Sequence, residues 1–176
     1  ETRMPNGYSK GTITNGEGSI AAGQTVAVTQ NNTYAMEPTS IDLHATKEMK
    51  GNAYTGSFIF ALNGTATSGN NNVLDSATAL AQTVAQDGTA TWKINYTVPG
   101  VYQYTISETA GNVPGMAYST KPVQVTVTVV DDGDGTMSAT AVYANGDGAN
   151  HDIITNTYSM ITFQPEVTKA LAGTNV

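Results

Sequence analysis

Three polar residues of this 176-residue chain stand where a β-strand would place side chains of the core. Lys47, Glu108 and Asn156 each belong to a row of apolar residues that recurs at every second position. The neighbours in these rows are Leu43, Ala45 and Met49 for Lys47, Tyr102, Tyr104 and Ile106 for Glu108, and Ile154 and Tyr158 for Asn156. Because alternate residues of a strand face the same side of a sheet, all three polar side chains are predicted to point into the core.

These three residue types together suggest a covalent reaction. A buried ammonium or carboxylate is costly unless it is paired, and it often escapes this cost by losing its charge. A neutral Lys47 amine is a nucleophile, and the Asn156 amide is an electrophile. A protonated Glu108 between them could polarise the amide carbonyl and carry protons as ammonia leaves. The resulting isopeptide bond would close a loop of about a hundred residues and contribute roughly 4 to 5 kcal/mol on the entropy model used for disulfides.

The same positions also fit a non-covalent site. Lys47 and Glu108 would then form a buried ion pair, with Asn156 hydrogen-bonded beside them. Placement on apolar strand faces does not distinguish this arrangement from the covalent one.

The elements that carry these residues are predicted to form an all-β fold, an immunoglobulin-like antiparallel β-sandwich. The chain is rich in Thr, which suits half-buried strand surfaces, and in Gly and Asn, which suit turns. Apolar alternation bounded by turns recurs through residues 41–160 and predicts about seven strands. This pattern excludes a helical bundle, and the formal charge of −7 argues against a nucleic-acid partner. The absence of Cys excludes disulfides and thiol chemistry.

Two segments of this unit are less regular. Residues 73–86 fit either a short amphipathic helix or a loop followed by a strand, and the second is favoured. The sequence DDGDG at 131–135 lies between two alternating runs and predicts a hairpin turn. It resembles part of a calcium loop, but it lacks the downstream Glu ligand of such a loop.

An internal repeat indicates tandem domains. NTYAM at 32–36 and ATKEMKG at 45–51 recur as NTYSM at 156–160 and VTKALAG at 167–173. One unit therefore covers about residues 41–160. Residues 1–36 are predicted to be the C-terminal part of a preceding domain, and residues 163–176 the first strand of a following domain.

The motifs of the central unit occur in a characteristic order. They are ATK at 45–47, GVYQYTISE at 100–108, VTVTV at 125–129 with the turn DDGDGT at 131–136, and ITNTY at 154–158. This order resembles the isopeptide-linkage domain of Gram-positive surface pilins and adhesins. The resemblance implies that Lys47 and Asn156 are the bond partners and that Glu108 is the catalytic acid. Ala45 and Ile154 depart from the Val and Phe of the family pattern, but neither change removes a reacting group.

The flanking segments show related features. Residues 1–36 resemble the closing strands of a collagen-adhesin B-type domain, with a last strand over Val26 to Tyr34. This resemblance implies that Asn32 is a bond partner of the preceding domain, and the repeat assigns Lys169 to the following one. Neither residue is expected to form its bond within this chain.

No cofactor or metal site is predicted. His44 and His151 stand beside strands without companion ligands, so they are interpreted as solvated loop residues. No apolar run is long enough to cross a bilayer, and no membrane insertion is expected.

The resemblance implies a structural segment of an extracellular fimbrial or adhesin stalk, which is not an enzyme beyond one self-catalysed bond. It would be anchored to the bacterial cell wall through a region outside this sequence. Its partners would be neighbouring domains of the same chain, other pilin subunits or host surface molecules. The alternative is a binding module whose loops at 64–72 or 144–150 recognise a host glycan or protein, although these loops lack the aromatic cluster typical of a binding face. A hydrolase is not supported, because no catalytic triad is found.

Overall fold

The computed structural model describes residues 3–66, 72–74, 80–170 and 172–173. The regular secondary structure of these residues consists of β-strands. The strands are β1 (Tyr8–Ser9), β2 (Ile13–Thr14), β3 (Thr29–Gln30), β4 (Thr33–Tyr34), β5 (Thr39–Gly51), β6 (Ser57–Ala66), β7 (Asn72–Leu74), β8 (Ala81–Ala85), β9 (Thr89–Tyr96), β10 (Gly100–Thr109), β11 (Met116–Ala117), β12 (Val123–Asp131), β13 (Met137–Ala144) and β14 (Ile153–Tyr158). Within these ranges there is no helix that could cross a membrane.

Strands β5 to β14 form two five-stranded sheets. The order of the first sheet is β13-β12-β10-β6-β8, and the order of the second is β11-β14-β5-β9-β7. Each sheet contributes alternate apolar residues to a single buried cluster between them. The predicted all-β, immunoglobulin-like sandwich is thereby confirmed.

One strand pair departs from the expected antiparallel arrangement. Strands β5 and β14 run parallel, with Lys47 paired to Ile154 and Met49 to Asn156, whereas every other pair is antiparallel among the described strands. Sequence alternation predicts which face a side chain occupies, but it carries no information on which strand lies alongside or in which direction. The parallel pairing places the first and last strands of the 41–160 unit side by side.

The core follows the predicted alternation. Its largest fully buried side chains include Trp92, Tyr96, Tyr102 and Phe60. The polar ends of the aromatic residues are satisfied, since Trp92 Nε1 donates to the Leu80 carbonyl at 3.1 Å and the Tyr102 hydroxyl donates to the Val98 carbonyl at 2.6 Å. Within the described residues, no buried side-chain nitrogen or oxygen lacks a hydrogen-bond partner.

One of the two irregular segments differs in part from its prediction, because Val73 and Leu74 belong to β7 rather than to a loop. Ala81–Ala85 is a strand, as the second interpretation of residues 73–86 predicts, while residues 75–79 lie outside the described part. The turn at 131–136 joins β12 to β13 in an antiparallel hairpin. Its Asp side chains accept hydrogen bonds within the turn, from Gly133 N to Asp131 at 2.8 Å and from Thr136 N to Asp134 at 3.0 Å.

The flanking segments differ from their predicted strands. The continuous strand expected over Val26 to Tyr34 is two short strands, because β3 pairs with β2 whereas β4 pairs with β1. The strand predicted over 163–176 is absent from its described residues, 163–170 and 172–173. A strand needs a hydrogen-bonded neighbour, and no described strand pairs with these residues.

Candidate functional site

Lys47 lies where the pairing of β5 with β9 on one side ends and its pairing with β14 on the other side begins. Pairing with β9 ends at Thr46 and Thr89, and pairing with β14 begins at Thr46 and Ile153. The backbone N–H of Lys47 donates to the Gly88 carbonyl at 2.8 Å, which fixes the strand at this point. The Lys47 side chain enters the core, where it is fully buried and its Nζ lies 4.5 Å from the centre of the Phe58 ring.

Glu108 comes from the opposite sheet, near the end of β10. It pairs with Phe60 of β6 on one side, whereas pairing with β12 on the other side ends at Ile106 and Val123. Alternation along β10 directs its side chain inward, where only 1% of its surface is exposed.

Asn156 occupies the middle of β14, beside β5, and is completely buried. It lies two residues beyond Ile154, the β14 residue that pairs with Lys47. Because residues two apart share a face, its amide points to the same side of the sheet as the lysine. The structure therefore brings together all three residues that the sequence singled out.

The three side chains form a hydrogen-bonded trio with Glu108 at its centre. Lys47 Nζ lies 2.7 Å from Glu108 Oε2, and Asn156 Nδ2 donates to Glu108 Oε1 at 2.7 Å. A backbone group also contacts the trio, since Ser119 N donates to Asn156 Oδ1 at 2.8 Å. These contacts also fix the orientation of the Asn156 amide. The Ser119 N–H needs an acceptor, which is Oδ1, and the Glu108 carboxylate needs a donor, which is the NH₂ group.

This geometry differs from the predicted one in one respect. Glu108 was expected to polarise the amide carbonyl, but it contacts the amide nitrogen, and Ser119 N contacts the carbonyl oxygen. Ser119 is thus a member of the site that sequence reasoning missed. It acts through its backbone N–H. Almost every residue type carries this group, so the sequence gives no sign of which one enters the site.

Burial controls the electrostatics of the trio. Removal from water lowers the pKa of Lys47 from its ordinary value of 10.5, and the hydrogen bond and charge of Glu108 oppose this shift. The neutral amine required of a nucleophile is therefore easier to reach here than in water.

The other predicted bond residues are not part of this site. Asn32 is exposed and accepts a hydrogen bond from Gln30 Nε2 at 3.4 Å. Lys169 is exposed and belongs to no strand. Their proposed roles in neighbouring domains remain predictions.

The interpretation of His44 as a solvated loop residue is wrong. His44 lies within β5, half-buried, with Nε2 3.1 Å from Asp152 Oδ2 and Nδ1 3.2 Å from the Tyr143 hydroxyl. It faces away from the core, and the sequence could not show that β13 and the loop before β14 cover that side. His151 does lie in a loop, where Nδ1 contacts the Gly146 carbonyl at 3.1 Å.

No metal site is found in the described part of the chain. No group of three or more acidic or His side chains there could hold a metal ion. Loop 64–72 falls largely outside the described residues, and loop 144–150 is a polar turn held by the pairing of Asp147 with Ile153.

Comparison with known proteins gives a family match and two structural similarities. Residues 43–159 match the family model described as FctA, a Spy0128-like isopeptide containing domain. A mutant of the major pilin from Streptococcus pyogenes is similar at 19% identity, over 66% of this chain and 50% of the pilin, with a TM-score of 0.48. The major pilin protein T-13 of Streptococcus pyogenes is similar at 19% identity, over 70% of this chain and 55% of that pilin, with a TM-score of 0.43. The chain spans about half the length of these pilins, and no curated protein matches it.

Proposed function

Since the chain belongs to the FctA family of Spy0128-like isopeptide containing domains, we propose that residues 41–160 are a structural domain of an extracellular fimbrial stalk. In this proposal an isopeptide bond forms between Lys47 and Asn156 without an external enzyme, and Glu108 transfers the protons that the reaction requires. The observation that carries the proposal is the position of Glu108, whose two carboxyl oxygens each contact one reacting nitrogen.

The reaction balances without any added reagent. Proton transfer from the Lys47 ammonium to Glu108 leaves a neutral amine beside a neutral acid. The amine nitrogen then attacks Cγ of Asn156, and the carbonyl π electrons move onto Oδ1. Glu108 gives its proton to the amide nitrogen through Oε1 and takes one from the Lys47 nitrogen through Oε2. The C–N bond to the old amide nitrogen breaks, the carbonyl re-forms, and one ammonia leaves.

The surroundings of the trio favour this sequence of steps. Little water reaches the three side chains, because each is at most 1% exposed, so burial disfavours the charged form of the Lys47 amine. The sandwich holds the three groups in contact before reaction, which removes the entropy cost of bringing them together.

The proposed bond suits a stalk. It joins the first and last strands of the 41–160 unit, which lie side by side, so pulling on the two ends would load the bond rather than the hydrogen bonds of the sandwich. Neighbouring domains of the same chain and other pilin subunits are the proposed partners, with attachment to the cell wall outside this sequence. The assignment of residues 1–36 to a preceding domain and of residues 163–176 to the start of a following domain also remains part of the proposal.

Intact mass tests the proposal directly. We expect the folded chain to be lighter than its sequence by the mass of one ammonia. The variant Glu108→Gln keeps the size of the side chain but cannot exchange protons in the same way, so it should show the full sequence mass. It should also lose roughly 4 to 5 kcal/mol of stability with the cross-link, measured by urea unfolding.

Two controls sharpen the test. Asn156→Ala removes the electrophile and should also show the full mass. Glu48→Gln changes a half-buried carboxylate on the same strand as Lys47, which contacts Lys50 and Thr155 but none of the trio, and it should leave the ammonia loss intact. A parent chain of full sequence mass would mean that Lys47 and Glu108 form only a buried ion pair.

A further inference from the structure

The fourth contact of the trio has a specific chemical meaning. During attack on Asn156, negative charge develops on Oδ1, and a donor aimed at that oxygen stabilises the transition state. The Ser119 N–H already points at Oδ1, at 2.8 Å. Glu108 does not fill this role in the structure, because its contact with the amide is through the nitrogen.

We propose that the backbone N–H of Ser119 is the oxyanion donor of isopeptide bond formation. This inference rests on the proposed function above and assigns the stabilisation of the carbonyl oxygen to a group outside the Lys47, Glu108 and Asn156 set. Glu108 then acts on the two nitrogens alone, and each of the four groups has one task.

The chain directs this N–H away from ordinary strand pairing. Strand β11 pairs with β14 only at Met116 with Tyr158 and at Ala117 with Thr157. Two residues beyond that pair, Ser119 N donates to a side chain of β14 rather than to its backbone. Because the pairing of β11 with β14 ends here, the backbone N–H of Ser119 can donate to the side chain of Asn156.

A local turn holds the donor in position. Lys121 N donates to Ser119 Oγ at 3.2 Å, and Ser119 Oγ lies 3.4 Å from the Lys121 carbonyl. Pro122 follows and restricts the backbone further. Residues 119–122 also line a surface pocket of about 230 Å³ together with Glu108, so one side of this turn faces solvent. The turn's internal bonds therefore matter for placing the donor.

The test compares two chains that differ by one N–H. Ser119→Ala keeps the donor and loses the hydroxyl. A second chain, made by cell-free translation, carries lactic acid at position 119, which is the same residue with an ester oxygen in place of the N–H. Intact mass sampled during synthesis gives the rate of ammonia loss, and Trp92 fluorescence reports folding.

We expect the ester chain to fold like the Ser119→Ala chain but to lose ammonia about a hundredfold more slowly, as for the removal of an oxyanion-hole donor. An ester at position 121 loosens the same turn without touching the carbonyl and should slow the reaction only a few-fold. Equal rates for the Ser119→Ala and ester-119 chains, or equal slowing by the two esters, would overturn the assignment. A parent chain that loses no ammonia would instead contradict the proposed function, and this inference with it.

A second readout covers an ester chain that does not fold. In the unreactive variant Glu108→Gln, a ¹³C label in the Asn156 side chain reports the carbonyl stretching frequency. A hydrogen bond from Ser119 should lower this frequency, and a frequency typical of a carbonyl without a hydrogen bond would contradict the proposal.

Discussion

At the scale of residues, the buried trio explains why three polar side chains interrupt apolar rows. Lys47 and Asn156 approach Glu108 from the same sheet, and Glu108 reaches them from the other. A buried ion pair and the starting point of amide transfer share this geometry. The two differ in whether a covalent bond forms between Lys47 and Asn156, so a measurement of that bond, such as intact mass, distinguishes them.

The lowered pKa of Lys47 predicts a pH dependence for a chain that cannot react. In Asn156→Ala, the unfolded chain keeps the Lys47 proton up to about pH 10.5, whereas the folded chain releases it at lower pH. The unfolded state therefore binds more protons between the lowered pKa and 10.5, and the free energy of unfolding should rise with pH across this window.

Urea unfolding at a series of pH values measures this slope. The control carries Asn156→Ala together with Lys47→Met and Glu108→Gln, which removes the buried Lys47 amine and its hydrogen-bond partner. The free energy of unfolding of this control should not rise with pH across the same window. The same slope in both chains would show that other groups cause it.

At the scale of elements, the parallel pairing of β5 and β14 determines how force enters the domain. The bond would connect these neighbouring strands close to where the chain enters and leaves the unit. The strands between Lys47 and Asn156 would then lie outside the path of tension.

Single-molecule pulling on the two ends should reveal this path. The parent chain should show no extension from the segment between Lys47 and Asn156, because the bond bypasses it. Glu108→Gln should release that segment and lengthen by about 350 Å, given about 3.3 to 3.6 Å for each of roughly a hundred residues. Release of the same length from a parent chain lighter by one ammonia would place the bond elsewhere.

At the scale of the whole molecule, the N-terminal segment is fastened to the β12–β13 hairpin. The Tyr34 hydroxyl donates to Asp131 Oδ1 at 2.6 Å and accepts from Gly135 N at 3.1 Å. Glu37 N donates to the Gly135 carbonyl at 2.8 Å. Gly135 has a φ of +89°, and a Cβ there would come within 2.4 Å of the Gly7 Cα, so the close approach requires glycine.

Removal of the Tyr34 hydroxyl should loosen this junction without affecting the bond. In Tyr34→Phe we expect faster amide hydrogen exchange in residues 3–36 and 131–136, because one side chain makes both contacts. Ammonia loss should be unchanged, since Tyr34 touches none of the trio. Tyr8→Phe is the matched control, because it keeps the ring contact with Tyr34 and leaves the Tyr34 hydroxyl in place. Equal exchange in the two variants would contradict a specific role for that hydroxyl.

The sequence by itself determined the fold class, the inward faces and the three side chains of the site. Period-two alternation is a local property of the chain, so Lys47, Glu108 and Asn156 could be placed on core faces without knowledge of their neighbours. The hairpin at 131–136 was equally predictable, because Asp and Gly specify a turn locally.

Tertiary structure alone decided the parallel pairing of β5 with β14, the cover over His44, and the donation from Ser119 N to Asn156. Each of these depends on which distant segments lie together. Pairing partners and backbone donors leave no mark on residue type, because every residue except proline carries the same N–H.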